Sequence, residues 1–266
     1  MTFENAPADR FDLVIGADGL HSTLRRLAFG SEDRFRRFLG GYLAGAALPN
    51  ELGLEGRMLV WNAPGRLAAI YPVHGTTTAR GGFLFRRGQE LPLDHRDTEG
   101  QKQALHQIYG RDGWQVPKLL AAIGSADDFY FDSISQIVMD SWTKGRVTLV
   151  GDAGYSPGPA VGGGTSIAVV GAYVLAQELG RGHRHYQVGL AAYQHRIREL
   201  ATKARSIGST TMSTLIPKTS LQVRLTPEVL RLVTRMPPGV RQRLFQLQAT
   251  PARALNSIHL TRLDRA

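Results

Sequence analysis

The sequence predicts an α/β chain in which two strand–turn–helix segments flank a β-rich insertion, with further helices at the C-terminal end. Three observations carry that expectation. Residues 11–16 and 146–150 are short apolar runs that stop at glycine and aspartate, as buried strands do where they give way to a loop. Between them, from about residue 35 to 87, alternating and β-rich runs are separated by Gly and Pro turns such as Ala63-Pro64-Gly65. Beyond residue 164 the apolar spacing changes to gaps of three and four, the helical period.

Taken in order, residues 1–5 and 11–17 read as two strands, and the segment through Arg26 as the start of a helix. Strands are expected at 41–48, 57–62, 67–73 and 77–86, forming an antiparallel or mixed sheet. Helices follow at 98–109 and 115–123, then a strand near 129–138. A strand at 147–150 leads through a Gly- and Pro-rich loop into a helix at 166–179, broken at Gly180-Arg181-Gly182. Leu190, Tyr193, Ile197, Leu200, Ala204, Ile207 and Thr211 then lie on one face of a long helix. A core-covering helix spanning both domains is preferred over a coiled-coil dimer. Pro217 ends it, and 226–236 and 240–247 read as two short basic amphipathic helices suited to a lid or a membrane surface.

Composition narrows the function. A chain of 266 residues with 42% apolar content can build one large domain or two modest ones. With no cysteine it has no disulfide framework, thiolate metal site or Cys nucleophile. No signal-peptide pattern is apparent, and no apolar run approaches the ~18–20 residues of a spanning helix, so the cytoplasm is the simplest location. The net charge of +10 is uneven: from Arg181 onward fifteen Lys and Arg face three acids, a local +12. That basic tail suits phosphate groups or weak contact with a membrane surface, or is simply a solvated face. No nucleic-acid-binding motif accompanies it, and no nucleic-acid partner is expected.

The stretch from Gly145 to Leu179 carries the chemistry. A buried strand meets Gly151-Asp152, then a loop with Pro157, Pro159 and the run Gly162, Gly163, Gly164, then a helix opening near Thr165 or Ser166. The carboxylate accepts hydroxyl hydrogen bonds, and glycines let the backbone approach a flat ligand. The helix start offers unpaired N–H groups and partial positive charge. These are the parts needed to hold a polyol and an electron-rich ring. A second segment, Gly16-Ala17-Asp18-Gly19-Leu20-His21-Ser22-Thr23-Leu24-Arg25, repeats the strand ending in Gly and Asp.

Together the two segments resemble fingerprints of the flavoprotein aromatic hydroxylases, the para-hydroxybenzoate hydroxylase-like FAD monooxygenases. Residues 16–25 are similar to G-A-D-G-x-x-S-x-x-R, and residues 151–166 to that family's G-D-A segment with its later Pro and Gly-x-Gly-x-Asn. The resemblance implies an incomplete FAD/NAD(P)-binding Rossmann-like domain (1–32 and 141–215) and an inserted β-sheet substrate domain (33–140). Residues 216–266 would form a C-terminal basic helical tail. It also implies non-covalent FAD, NAD(P)H as electron donor, and hydroxylation of an aromatic or polyketide-like small molecule by O2. Asp18, with Gly19 and Arg25, would organise the FAD pyrophosphate and the NAD(P)H approach. Asp152 after Gly151 would bind the ribityl chain. Pro159 and residues Gly162, Gly163, Gly164, Thr165 and Ser166 would border the flavin ring. The resemblance requires no acid–base side chain, and none is named as catalytic.

The match has departures: Gly154-Tyr155 stands where the family frequently has Ala-His, Ser166 for its Asn, and Gly171 for a later helical Asp. The Gly-Thr-Ser form is similar to hydroxylases of the polyketide- and tetracycline-modifying kind. Competing readings remain for single residues. Asp152 could be a helix cap, Asp18 an Asx-turn, and Arg25 part of a solvated helix face. Pro159 could do no more than shape its loop. Trp61 and Tyr71 are expected in core packing before an aromatic pocket, and His21 and His74 as ordinary polar positions. His183 and His185 have H-x-H spacing without a nearby acid, and no metal site is expected.

The G-x-G-x-x-G loop that receives a dinucleotide pyrophosphate does not occur in the sequence. The adenosine-binding half of the site is therefore expected from a missing N-terminal segment, lost by truncation or a misplaced start, or supplied by another polypeptide. Strands 12–17 and 146–150 would then expose apolar edges. The alternative function is an inactive flavoprotein fragment or partner-binding remnant with no turnover.

Overall fold

The computed structural model describes residues 1–159, 164–182, 185–237 and 239–240. In chain order its elements begin with β1 (Val14–Gly16), α1 (Thr23–Phe29), a 3-10 turn (Glu32–Arg34), β2 (Arg36–Pro49), β3 (Leu59–Ala63), β4 (Arg66–Pro72) and β5 (Thr78–Arg86). They continue with α2 (Thr98–Tyr109), α3 (Val116–Ser125), β6 (Tyr130–Ile137), β7 (Thr143–Lys144) and β8 (Val147–Leu149). Helices α4 (Asp152–Tyr155), α5 (Gly164–Arg181), α6 (Tyr186–Leu215) and α7 (Ser220–Arg235) complete them. Two compact units result. The first holds residues 1–37 and 135–209, and the second holds 38–134 with the described part of 210–244.

In the first unit a three-stranded sheet runs in the order β1-β8-β7. β1 is parallel to β8, with Val14 opposite Val147 and Gly16 opposite Leu149. The strand expected at 1–5 does not form. Polar residues and Pro7 interrupt the apolar pattern there, and the backbones of Met1 and Asp9 bond each other at 2.6 and 3.0 Å, closing a loop. Among the described residues β1 is thus bordered by β8 on one side alone, and Phe3, Phe11 and Ile15 are exposed. The expected apolar edge is present at β1, but not at β8, which pairs with β1 on one side and β7 on the other. α5 and α6 supply the core, where Val174, Leu190, Tyr193 and Ile197 pack with Trp142, Leu149 and Tyr155. The three-and-four spacing read along α6 is this buried face: Leu190, Tyr193, Ile197, Leu200 and Ala204 are all buried.

The second unit is a five-stranded sheet in the order β3-β4-β5-β2-β6. β5 shows why: Ala79, Gly81, Phe83 and Phe85 are buried, whereas the residues between them are not, the period of two that a half-covered strand requires. The β2–β5 pairing runs from Gly41 opposite Arg86 to Pro49 opposite Thr78. α2 begins where Asp97 accepts the Gly100 N–H at 3.0 Å. Its Leu105 and Tyr109, with Leu119 and Ile123 of α3, pack onto Tyr42, Phe83 and Phe85. The Tyr109 hydroxyl donates to the carbonyls of Leu67 and Leu84 at 3.0 and 2.8 Å, so the hydroxyl end of this ring is fixed between β4 and β5. The other sheet face bears an open cleft of about 430 Å³ that includes Leu43, Val60, Ala69, Tyr71 and Tyr130. Trp61 packs on the core as expected, but Tyr71 does not. It lies on the odd-numbered, uncovered side of β4 and borders that cleft.

At the C-terminal end α7 begins at Ser220, six residues before the expected start. Thr219 caps it by accepting the Gln222 N–H at 3.3 Å, and the Gln222 side chain accepts the Lys218 N–H at 2.7 Å. The helix expected at 240–247 lies outside the described residues apart from its first residue.

Candidate cofactor site

The two motifs meet in one cleft. β8 ends at Leu149, and the chain turns at Gly151 with φ 65° and ψ −139°, a conformation that only glycine adopts without strain. A Cβ at Gly151 would also stand 3.0 Å from Cβ of Ala168 in α5, so the missing side chain lets the turn close on the helix. Asp152 follows and opens α4. Around this turn lies a cleft of about 450 Å³. Ala17 and Gly19 border it from the β1–α1 turn, and Val150, Gly151 and Asp152 from the end of β8. Gly164, Thr165, Ala168, Val169 and Ala172 border it from the first turns of α5. Its walls are small side chains and backbone. Asp152 is exposed, and among the described residues its carboxylate has no hydrogen-bond partner, although it opens a helical turn.

The remaining expected residues are placed differently. Asp18 does not border this cleft. It lines a second one of about 880 Å³ that includes Thr2, Phe3, Val14, Ile15, Arg26 and Leu27. Its carboxylate accepts Ser22 Oγ at 2.6 Å and the Leu24 N–H at 3.0 Å, which ties it to the start of α1. Partial burial works against its charge, yet these hydrogen bonds hold the carboxyl below the usual aspartate range. Ser166 is exposed and Pro159 is half-buried; neither borders the cleft. Gly162 and Gly163 lie outside the described residues, as does His183. Among the described residues no group of three His, Asp or Glu side chains is placed to hold a metal ion.

Arg25 is the largest departure from expectation. Read as a cofactor ligand or a solvated residue, it is instead 0% exposed. Its guanidinium donates to the carbonyls of Ala153 at 2.8 Å and Leu20 at 2.5 Å, and to Glu32 Oε2 at 2.9 Å. It therefore bonds the first motif to the residue that follows Asp152. Glu32 also meets His21 Nδ1 at 3.0 Å and Arg36 Nε at 3.3 Å. Burial raises the Glu32 pKa, but His21, Arg25 and Arg36 outweigh it and hold the carboxyl below the usual glutamate range. Burial also lowers the Arg25 pKa, opposed by Glu32. Nothing in the spacing of these residues marked the cluster in advance.

The departures at 155 and 171 explain each other. A Cβ built at Gly171 would overlap the Tyr155 hydroxyl. That hydroxyl lies 3.0 Å from the Tyr193 hydroxyl, which donates to Leu149 O at 2.9 Å at the end of β8. Burial pushes both phenols above their ordinary range, so both stay neutral. Gly171→Ala is expected to cost about 1–3 kcal/mol by overpacking. Combined with Tyr155→Phe it should cost less than the sum, because the overlapping atom is gone. Thermal unfolding of the four proteins measures this, and strict additivity would refute the coupling.

An open cleft at the carboxyl end of parallel strands, facing a helix N-terminus, defines a nucleotide-cofactor-binding α/β layer. Residues 10–206 match the family model described as an FAD binding domain. The chain belongs to that FAD-binding family. It is 48% identical over 193 residues to an uncharacterized protein of Mycobacterium tuberculosis, covering 73% of this chain and 52% of that protein. It is 40% identical over 206 residues to a flavin-dependent monooxygenase of Legionella longbeachae, covering 77% of this chain and 53% of that one. The crystal structure of the tetracycline destructase Tet(55) superposes with a TM-score of 0.79 at 34% identity, covering 98% of this chain and 65% of that chain. The chain thus spans about half the length of the curated relatives it matches.

Proposed function

We propose that these residues form the flavin-ring site and substrate sheet of an FAD-dependent monooxygenase that uses NAD(P)H and O2 on an aromatic or polyketide-like small molecule. The observation that carries this reading is the convergence of both motifs on one small-walled cleft with an unpartnered carboxylate. FAD fits the donor set: Asp152 suits ribityl hydroxyls, and Gly151, with no side chain, lines the cleft with backbone. When bound, FAD would supply the redox and oxygen-activating chemistry. Gly164 and Thr165 at the start of α5 would place positive helix potential beside an electron-rich ring. Asp152 would orient it, and Gly19 would let the β1–α1 turn approach. Asp18 and Arg25 would act through position, by fixing the two turns. The open sheet face with Ala69, Tyr71 and Tyr130 offers a flat apolar surface for a ring-containing substrate.

Relatives carrying these names support the reading, and activity is the test. Purified protein supplied with FAD is expected to retain yellow colour through gel filtration and to oxidise NAD(P)H faster with O2 present. Flavin retention without NAD(P)H oxidation would favour the non-turnover fragment instead. Protein that stays colourless would refute turnover by this chain and favour the fragment or partner-binding remnant.

A further inference from the structure

We propose that α7 is a docking surface for an anionic phospholipid membrane. Leu221, Leu225, Val229 and Leu232 recur at steps of four, four and three along the helix, which puts them on one stripe. All four are exposed, Leu221 at 66% and Leu232 at 61%. Val223, Thr226 and Val233, on a different face, are the half-buried ones. The helix is rooted in its own unit by backbone at its start. Gly65 N–H donates to Pro217 O at 2.7 Å, and Arg86 Nε donates to Ile216 O at 2.9 Å. An anchored helix with its apolar stripe turned outward is not a frayed end.

Charge identifies the occupant. Arg224, Arg231 and Arg235 fall together beside the stripe at helical spacing, and Lys218 precedes it. The one acid between residues 218 and 235, Glu228, is paired with Arg231. Residues 241–266 add five arginines and one aspartate to the same end of the sequence. Leu and Val beside arginines, with almost no acids, is the composition of a helix lying in a negatively charged lipid interface. No described helix is long and apolar enough to cross a membrane, so the contact is with its surface. A second copy of this chain would bring like charge against like and is disfavoured.

The test is flotation of the full chain with phosphatidylcholine vesicles and with vesicles that also contain phosphatidylglycerol. Three net positive charges on residues 218–235 should raise partition to the anionic vesicles on the order of a hundredfold. About 1 M salt, where the screening length is about 3 Å, should largely remove the gain. Leu225→Glu with Leu232→Glu should abolish binding without lowering the melting temperature, because both side chains already face solvent. Arg231→Gln with Arg235→Gln, which leaves the stripe intact, should weaken binding to anionic vesicles alone. Equal partition to both vesicles, or binding indifferent to the glutamates, would overturn the proposal. So would a shift from dimer to monomer caused by the glutamates without lipid, or a loss of melting temperature showing that the chain itself covers the stripe.

Discussion

Glu32→Gln is expected to destabilise the first unit by about 3 kcal/mol at neutral pH, the low end for breaking a buried ion pair. The partner left behind sets that size. Arg25 is fully buried and Glu32 is the acid that hydrogen-bonds it; Asp18 acts on it more weakly, and Arg36 adds a second cation. Without the carboxylate, Arg25 keeps the Ala153 and Leu20 carbonyls but loses its nearest countercharge. Glu32 is itself a quarter exposed, so solvent screening trims the loss. The sign of the pH effect follows from the depressed carboxyl. Its stabilisation is fully present above the unfolded glutamate pKa of about 4.3 and is lost as pH falls through the lower folded value. The parent should therefore lose stability on acidification with a steeper slope than the Gln variant. Urea unfolding at neutral and acidic pH, followed by circular dichroism, measures both. Superimposable curves at neutral pH would remove Glu32 from any role in holding the two motifs together.

Much of this architecture was legible because its determinants are local. β3, β4 and β5 fall within two residues of expectation, since alternation and Gly or Pro turns bound each one. α2 matches at both ends, between its Asp97 cap and Gly110. Failures occurred where the determinant lies elsewhere. Residues 1–5 are one such case: the backbone bonds between Met1 and Asp9 close the segment into a loop, and a strand reading of 1–5 alone does not include Asp9. α7 misled for a different reason. Pro227 belongs by preference in the first helical turn, which points to a start near 226. The Thr219–Gln222 cap starts the helix earlier and leaves Pro227 inside it.

The site divides the same way. Gly19, Gly151, Asp152, Gly164 and Thr165 share a cleft because their roles depend on backbone turns and a helix start, which sequence spacing encodes. Arg25 does not share it. An Arg-Arg pair at the start of a helix carries no mark of which guanidinium turns inward, and Arg25's partner Ala153 lies 128 residues away. Gly171 could have been suspected from its pairing with Tyr155, since both depart from the same family pattern. That they touch is a fact of packing between α4 and α5, invisible to either residue alone.

Asp152→Ala should weaken flavin binding by about tenfold to a few hundredfold, the range for losing one or two hydrogen bonds to a charged acceptor. The same change should leave the cofactor-free protein as stable as the parent, because the carboxylate is exposed and partnerless among the described residues. That separation of effects distinguishes a ligand from a cap: removing a helix-capping aspartate costs about 1 kcal/mol of stability whether or not flavin is present. Riboflavin sharpens the comparison. It carries the ring and ribityl chain without the adenosine half, so its binding reports this cleft alone. Quenching of flavin fluorescence on titration with parent and variant gives both affinities. Gly151→Ala provides the contrast, since the new methyl strains the turn and meets Ala168; it should lose flavin affinity and stability together. If Asp152→Ala bound riboflavin as the parent does, the carboxylate would not face the ribityl chain, and the placement of the ring against this turn would fail with it.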